Sequence, residues 1–211
     1  MAARTYTRLV EDKICSGNAD PATVAETAKK ALAQIERAAE VVRSLRALVR
    51  LDRSNCAPCS VERIVNETLA LCEPALAQIA ANTRVVLASD LPPVMVDILQ
   101  IEQVLLNLLR NAIEAIGEVE NPQGSILVEA SAAGAGFVEV RVSDNGPGFP
   151  PGLLESPFLP FSSTKAEGLG FGLPLCKSIV EAHGGRLWLD RNTQGAAVHF
   201  TLPVVEATHH G

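Results

Sequence analysis

Residues 144–172, DNGPGFPPGLLESPFLPFSSTKAEGLGFG, constrain the chain more than any other stretch. They open with Asp144, Gly146 and Gly148 and close with Gly168, Gly170 and Gly172. Glycines at such spacing let the backbone come close to a ligand and take positive φ. No apolar period runs through the middle, where Ser162, Ser163, Thr164 and Lys165 follow a proline-rich run, so it reads as a loop. A long loop inside a compact domain is more often functional than filler. A strand in which Val138, Val140 and Val142 alternate with polar residues runs straight into Asp144. A helix over 170–183 follows the loop and points its N-terminus at it. Unpaired N–H groups and the helix dipole make that end a site for phosphate. Taken alone, such a loop reads first as two surface turns, so the rest of the chain has to decide.

The helix predicted over 98–116, ILQIEQVLLNLLRNAIEAI, is apolar on nearly all sides and is expected to be buried. Asp97, with Gln100 three residues on, predicts a capping box at its start. Asn107 and Asn111 are one turn apart and share a face, flanked by Arg110 and Glu114. An unpaired buried amide costs about 1–3 kcal/mol. Two of them on one face are therefore either satisfied core amides or groups that meet a ligand or a hydrated metal. Oxygen ligands with retained waters suit Mg²⁺, which usually arrives with a phosphate substrate.

The net charge of −6 over 211 residues argues against a general nucleic-acid binder. A phosphate site needs only one or two cations, so the acidic balance does not exclude a nucleotide. Hydrophobic residues make up 47% of the chain and aromatics 4%, so the core is aliphatic. No run of eighteen apolar residues occurs, which predicts no membrane span. The polar start shows no signal peptide. The five cysteines, Cys15, Cys56, Cys59, Cys72 and Cys176, fit reduced thiols and a cytoplasmic location. Cys56-Ala57-Pro58-Cys59 has metal or redox spacing, yet one such pair supplies two ligands, and a linker with two thiols is the plainer reading.

Residues 2–15 read as the end of a helix that Ser16-Gly17 stops. Asp20-Pro21 starts a second, as N-cap and first helical residue, running to about Leu51. Ala28, Ala31, Ile35, Ala38, Val42, Leu45 and Val49 form a bundle seam on it. The hairpin cannot bury this seam alone, so a partner chain or upstream residues are implied. Residues 51–60 read as a linker, Ser60 caps a helix over about 61–80, and strands follow at 83–88 and 94–96. Beyond Asn121 come two strands joined at Gly134-Ala135-Gly136, and the last two, 186–190 and 196–202, put Val198, Phe200 and Leu202 inward and His199 outward. His183-Gly184-Gly185 closes the helix before them, with His183 read as a terminal helix residue and not a ligand.

Four pieces now stand in order: QVLLNLLRNAIEA (103–115), DNGPGF (144–149), PFLPFSSTK (157–165) and GLGFG (168–172). Together they resemble the N, G1, F and G2 boxes of the ATP-binding domain of sensor histidine kinases, in the superfamily shared with gyrase, the Hsp-type chaperones and the mismatch-repair ATPases. The short lid with its Ser-Thr-Lys resembles the nitrogen-regulation and oxygen-sensing branch. The helix 21–51 resembles the second helix of the dimerisation and phosphoacceptor domain.

The resemblance implies an α+β fold, a two-layer α/β sandwich in which three helices cover one face of a mixed five-stranded sheet. It implies a truncated antiparallel helical hairpin at 1–52, a linker at 53–59, the ATP-binding domain at 60–203 and a tail at 204–211. It implies that Asn111 holds Mg²⁺ bridging the ATP phosphates, with Asn107 near them and Arg110 and Glu114 beside them. Where relatives that hydrolyse ATP carry a Glu at the position of Asn107, an amide cannot act as base, which favours phosphoryl transfer. Asp144 would accept from the adenine amino group, Gly146 and Gly148 would let the lid begin close to adenine, and Ser163, Thr164 and Lys165 would reach the terminal phosphates. Gly168, Leu169, Gly170, Phe171 and Gly172 would wrap the triphosphate; Phe171 stands where the family usually has Leu.

The family's phosphorylated His motif has no counterpart, since the four His residues are 183, 199, 209 and 210. The chain is thus expected to bind ATP and Mg²⁺ but not to phosphorylate itself. Its parent would be a homodimeric protein-histidine kinase, free or membrane-anchored, passing phosphate on to the receiver domain of a response regulator, with no nucleic-acid or membrane contact by this part. The alternative is a non-catalytic dimeric adaptor that docks a response regulator and keeps a vestigial nucleotide site.

Overall fold

A computed structural model of the chain describes residues 20–32, 55–117, 123–134, 136–155, 157–159, 172–190 and 195–205, with Arg8, Asp12 and Ile35. The chain divides into two units, Met1–Arg46 and Ala47–Gly211. In the first, residues 21–32 are helical. Asp20 caps them as expected: its carboxylate accepts from the Ala22 and Thr23 amides at 3.4 and 3.3 Å and from the Thr23 hydroxyl at 2.8 Å. On the expected seam Ala31 is buried and Ile35 exposed; the positions from Ala38 onward lie outside the described residues.

The second unit begins with β1 (Ala57–Cys59), which pairs antiparallel with β3 (Val94–Val96). These residues fall in the segment expected to be a linker. A three-residue strand is too short to show alternation, and Pro58 lacks an N–H, which a two-stranded edge tolerates. Helix α1 (Val61–Gln78) starts where Ser60 Oγ accepts the Arg63 amide at 3.1 Å. It leads to β2 (Asn82–Leu87), then through β3 to α2 (Ile98–Gly117). Strands β4 (Ser125–Ala133) and β5 (Phe137–Asp144) form a hairpin, followed by a short helix α3 (Pro151–Glu155), then α4 (Gly172–Ala182), β6 (Leu187–Leu189) and β7 (Ala196–Pro203). Helix α3 lies inside the stretch read as loop. Pro151 takes its first helical position, where no N–H is needed, and the Leu153 amide reaches the Pro150 carbonyl at 2.9 Å. Five residues are too few to show a period.

The main sheet is mixed and five-stranded, in the order β2-β4-β5-β7-β6. Strand β2 runs parallel to β4, and the other pairs are antiparallel. Period-two alternation sends Ile126, Val128 and Ala130 of β4, Val138, Val140 and Val142 of β5, and Val198, Phe200 and Leu202 of β7 to one buried face. Register stacks them, with Val140 beside Phe200 and Val142 beside both Val128 and Val198. Helices α2 and α4 lie against the sheet and α1 packs on α2. The other face is polar: Arg141 pairs with Glu129, and His199, in its expected outward place, bonds Glu139 at 2.7 Å and stacks on Trp188. No helix among the described residues is long and apolar enough to cross a membrane.

Candidate nucleotide site

Strand β5 delivers Asp144 to the edge of the helical layer. Its Oδ1 accepts the Gly146 amide at 2.8 Å, an Asx turn that reverses the chain as soon as the strand ends. Asn145 fixes the turn from the other side. Its Nδ2 donates to the Gln123 carbonyl and its Oδ1 accepts the Ser125 amide, both at 2.8 Å, tying the turn to the first residue of β4. Gly146 has no room for a side chain. A Cβ there would stand 2.9 Å from Asp144 Oδ1 and 3.1 Å from the Cβ of Ala115. Gly148 has φ +77, and a Cβ on it would stand 2.8 Å from the Gly195 carbonyl oxygen. Both glycines are thus demanded by close packing, Gly146 against Asp144 and Ala115 and Gly148 against the Gly195 backbone.

Ala115 extends a stripe on α2. Residues 107, 111 and 115 are successive i, i+4 positions and lie on one face of the helix. The turn after Asp144 therefore rests on the same face that carries the two asparagines. Asn107 is buried, 7% exposed, and its Oδ1 accepts from Gln103 Nε2 at 3.2 Å. Its Nδ2 is buried with no hydrogen-bond partner among the described residues. Asn111, one turn on, is exposed. Its Nδ2 lies 3.9 Å from the place a Cβ would occupy on Gly172, the first residue of α4. Strand end, amide stripe and helix start thus converge.

Arg110 is half-buried, and its positive charge acts on the Cys72 thiol of α1; Glu114 is exposed. Ser163, Thr164, Lys165, Gly168, Leu169, Gly170 and Phe171 lie outside the described residues. Next to them in sequence, Phe158 packs against the core and receives Lys177 Nζ of α4 at 4.8 Å from its ring centre.

Sequence reasoning passed over Asn145, Ala115 and Gln103. The last stands four residues before Asn107, a signal that was available. The capping box expected at Asp97 and Gln100 is half met. Asp97 Oδ1 does accept from the Leu99 and Gln100 amides, at 3.1 and 3.4 Å. The Gln100 side chain, however, bonds the Asp97 carboxylate at 3.1 Å and not its backbone N–H. That N–H goes to His183 Nε2, also at 3.1 Å.

Away from this site, burial pushes the Cys59 and Cys72 thiols up. Among the described residues no three His, Cys, Asp or Glu side chains gather as a metal would need.

The pattern of histidine kinase-, DNA gyrase B- and HSP90-like ATPases matches residues 96–206, from the end of β3 past the end of β7. The chain belongs to that ATPase family. Sensor protein FixL of Bradyrhizobium diazoefficiens is 34% identical over 197 residues, 92% of this chain and 39% of FixL. The C4-dicarboxylate transport sensor protein DctS of Rhodobacter capsulatus is 38% identical over 177 residues, 82% of this chain and 26% of DctS. The chain thus spans well under half the length of these curated relatives. The catalytic domain of histidine kinase ThkA is 29% identical and superposes with a TM-score of 0.63, over 71% of this chain and 95% of that domain. A structure of ThkA in complex with the response regulator protein TrrA gives 25% identity and a TM-score of 0.73, over 96% of this chain and 59% of that one. Within the ATPase family, the second unit is the catalytic domain of the sensor histidine kinase type.

Proposed function

We propose that the second unit binds ATP with Mg²⁺ and serves as the catalytic part of a protein-histidine kinase, moving the γ-phosphate to a His and, through it, to an Asp of a response regulator. The observation that carries this reading is the buried Asn107 Nδ2 without a partner, one turn from Asn111 and on the face against which the Asp144 turn rests. A buried donor left unpaired costs about 1–3 kcal/mol, and a ligand oxygen at this face would recover it. The donor set fits a nucleotide. Asp144 offers a carboxylate at a strand end for a base amino group, and the amide stripe offers neutral oxygens and N–H groups for phosphates and a hydrated cation.

Asn111 would hold Mg²⁺, which supplies neutralisation of phosphate charge. Ser163, Thr164 and Lys165, with the Gly168–Gly172 segment, would close over the terminal phosphates. The chain's own contribution is positioning and fixed dipoles. A helix start such as that of α4 favours phosphate through its N–H groups and dipole, and Asn107 offers no carboxylate to activate water, so transfer is favoured over hydrolysis. The acceptor would be supplied from outside this unit: no His stands in a phosphoacceptor motif, and His183 and His199 are both hydrogen-bonded within the domain. The helices at 1–52 would serve dimerisation in the whole protein. An adaptor with a decayed site is not favoured, since Asp144, Asn107, Asn111 and the close-packed glycines are all in place.

The test is calorimetric binding of a non-hydrolysable ATP analogue with and without Mg²⁺, followed by phosphotransfer from labelled ATP to a separately supplied helix bearing a phosphoacceptor His. Binding with transfer supports the reading. Binding without transfer, with the acceptor helix shown folded, would revive the adaptor.

A further inference from the structure

Helices α2 and α4 carry the two halves of the proposed nucleotide site, and three contacts define how they lie. At one end the Asp97 amide donates to His183 Nε2 at 3.1 Å. Seven residues along α2 and seven back along α4, the Cys176 thiol reaches the Val104 carbonyl at 3.7 Å. Near the other end Asn111 Nδ2 stands 3.9 Å from the place a Cβ would occupy on Gly172, the first residue of α4. The helices are antiparallel, with matched two-turn steps between the first two contacts.

The His183 contact differs in kind from the packing between them. Leu175, Ile179 and Val180 are buried aliphatic side chains, and apolar burial is non-directional, so a small slide of one helix along the other loses little of it. The thiol is a weak donor. His183 is 5% exposed and bonded at both ring nitrogens. Its Nδ1 bonds the Ile179 carbonyl at 2.8 Å. A carbonyl only accepts and an amide only donates, so the proton sits on Nδ1 and Nε2 is the acceptor for Asp97.

The backbone on each side is also fixed. Gly184 takes φ +82, and the Gly184 and Gly185 amides bond the Glu181 and Val180 carbonyls at 2.9 and 3.0 Å, a Schellman end that holds His183 at the helix cap. Asp97 is the N-cap of α2, and Gln100 leaves its amide free for His183 by bonding the carboxylate instead. A directional buried polar contact between apolar helices can set their register, as a single buried polar residue does in coiled coils.

We infer that His183 is a positioning residue: through the Asp97 amide it sets the register of α2 against α4, and with it the placement of Asn107 and Asn111 relative to the Gly172 end of the nucleotide loop. The inference deepens the proposed function and rests on it. A slide of one residue moves a helix by about 1.5 Å, and displacement on that scale degrades a positioned site severely.

Three variants separate this role from simple space filling. His183→Gln places an amide oxygen near the position of Nε2 and keeps the acceptor. His183→Asn reaches only the position of Nδ1 and loses Asp97. His183→Leu loses both bonds. Binding of a Mg²⁺-loaded, non-hydrolysable ATP analogue is measured below each variant's melting transition, and side-chain amide NMR resonances of Asn107 and Asn111 are recorded without ligand. The expected result is near-normal affinity for Gln, and a loss of about ten- to a hundredfold for Asn and Leu, the range for misplaced hydrogen bonds to a charged ligand, with amide resonances displaced in the same two variants. Unchanged affinity and resonances in Asn or Leu, or equal losses in all three, would overturn the inference. If the unmodified chain fails to bind the analogue, the nucleotide reading fails, and the resonances of the free protein still decide His183.

Discussion

The Asp144 carboxylate accepts the amide of Gly146, two residues on, at 2.8 Å, and a Cβ at position 146 would stand 2.9 Å from that same oxygen. The turn that aims the carboxylate and the absence of a side chain two residues later are one arrangement. Asp144→Asn, which replaces a charged acceptor, should weaken binding of an ATP analogue by about tenfold or more, the range for a charge-assisted hydrogen bond. Gly146→Ala should weaken it comparably, because the turn must move off Ala115. Titration calorimetry against ATP and GTP analogues checks both. Equal affinity of the Asp144 variant and the unmodified chain for the ATP analogue would remove Asp144 from the base-reading role.

Asn111→Ala should abolish the gain in analogue affinity on adding Mg²⁺ while leaving metal-free binding nearly intact. Asn107→Ala should lower both, since its unpaired Nδ2 is buried at the site. Binding isotherms with Mg²⁺ and with a chelator distinguish the two. A full Mg²⁺ response in Asn111→Ala would move the cation elsewhere.

Asn145 acts through the turn and makes two bonds, one to Ser125 at the start of β4 and one to Gln123 just before it. Asn145→Ala should cost about 1–2 kcal/mol of stability, a drop in Tm of about 2–8 °C, and should weaken nucleotide binding by loosening Asp144. Thermal melts with calorimetry test this, and a normal Tm with normal affinity would show the clamp to be dispensable.

A pH effect is expected at the contact of α1 and α2. Burial, together with a hydrogen bond to Glu67 and its charge, pushes the Glu102 carboxyl up, while the hydrogen bond from Arg63 holds Glu67 down. A raised carboxyl stabilises the fold below the ordinary Glu range, about 4.3, and that contribution is lost as pH rises through its folded value. Glu67 works in the opposite sense and loses its contribution as pH falls. Glu102→Gln should therefore raise Tm at neutral pH, by about 1 °C after solvent screening, and give no gain in acid. An equal gain at both pH values would show that ionisation of Glu102 is not the cause.

The buried thiols should be slow to react. Cys59 and Cys72 are buried with thiols pushed up, and Cys176 is fully buried, whereas Cys56 is partly exposed. Limited alkylation followed by peptide mapping should label Cys56 before those three. Early labelling of Cys72 would mean that α1 opens readily from α2.

Sequence alone determined the parts whose information is local. Alternation in β4, β5 and β7 named the buried face, because a two-residue period leaves no other choice. Ser60 and Asp20 announced their helix starts, and i, i+4 spacing put Asn107 and Asn111 on one face. The ordered glycine boxes named the family. Short or long-range features were not legible. The strand Ala57–Cys59 exists because Val94–Val96 lies beside it, and the helix Pro151–Glu155 is too short for a period. Only the tertiary structure decided that Asn107 is buried with an idle donor while Asn111 is open, and that Gly146 is packed onto Ala115. It alone gave the Asp97 amide to His183, 86 residues away. Local pattern fixes which way a side chain points, but which backbone group meets it depends on how distant elements pack, and that is written in no window of the sequence.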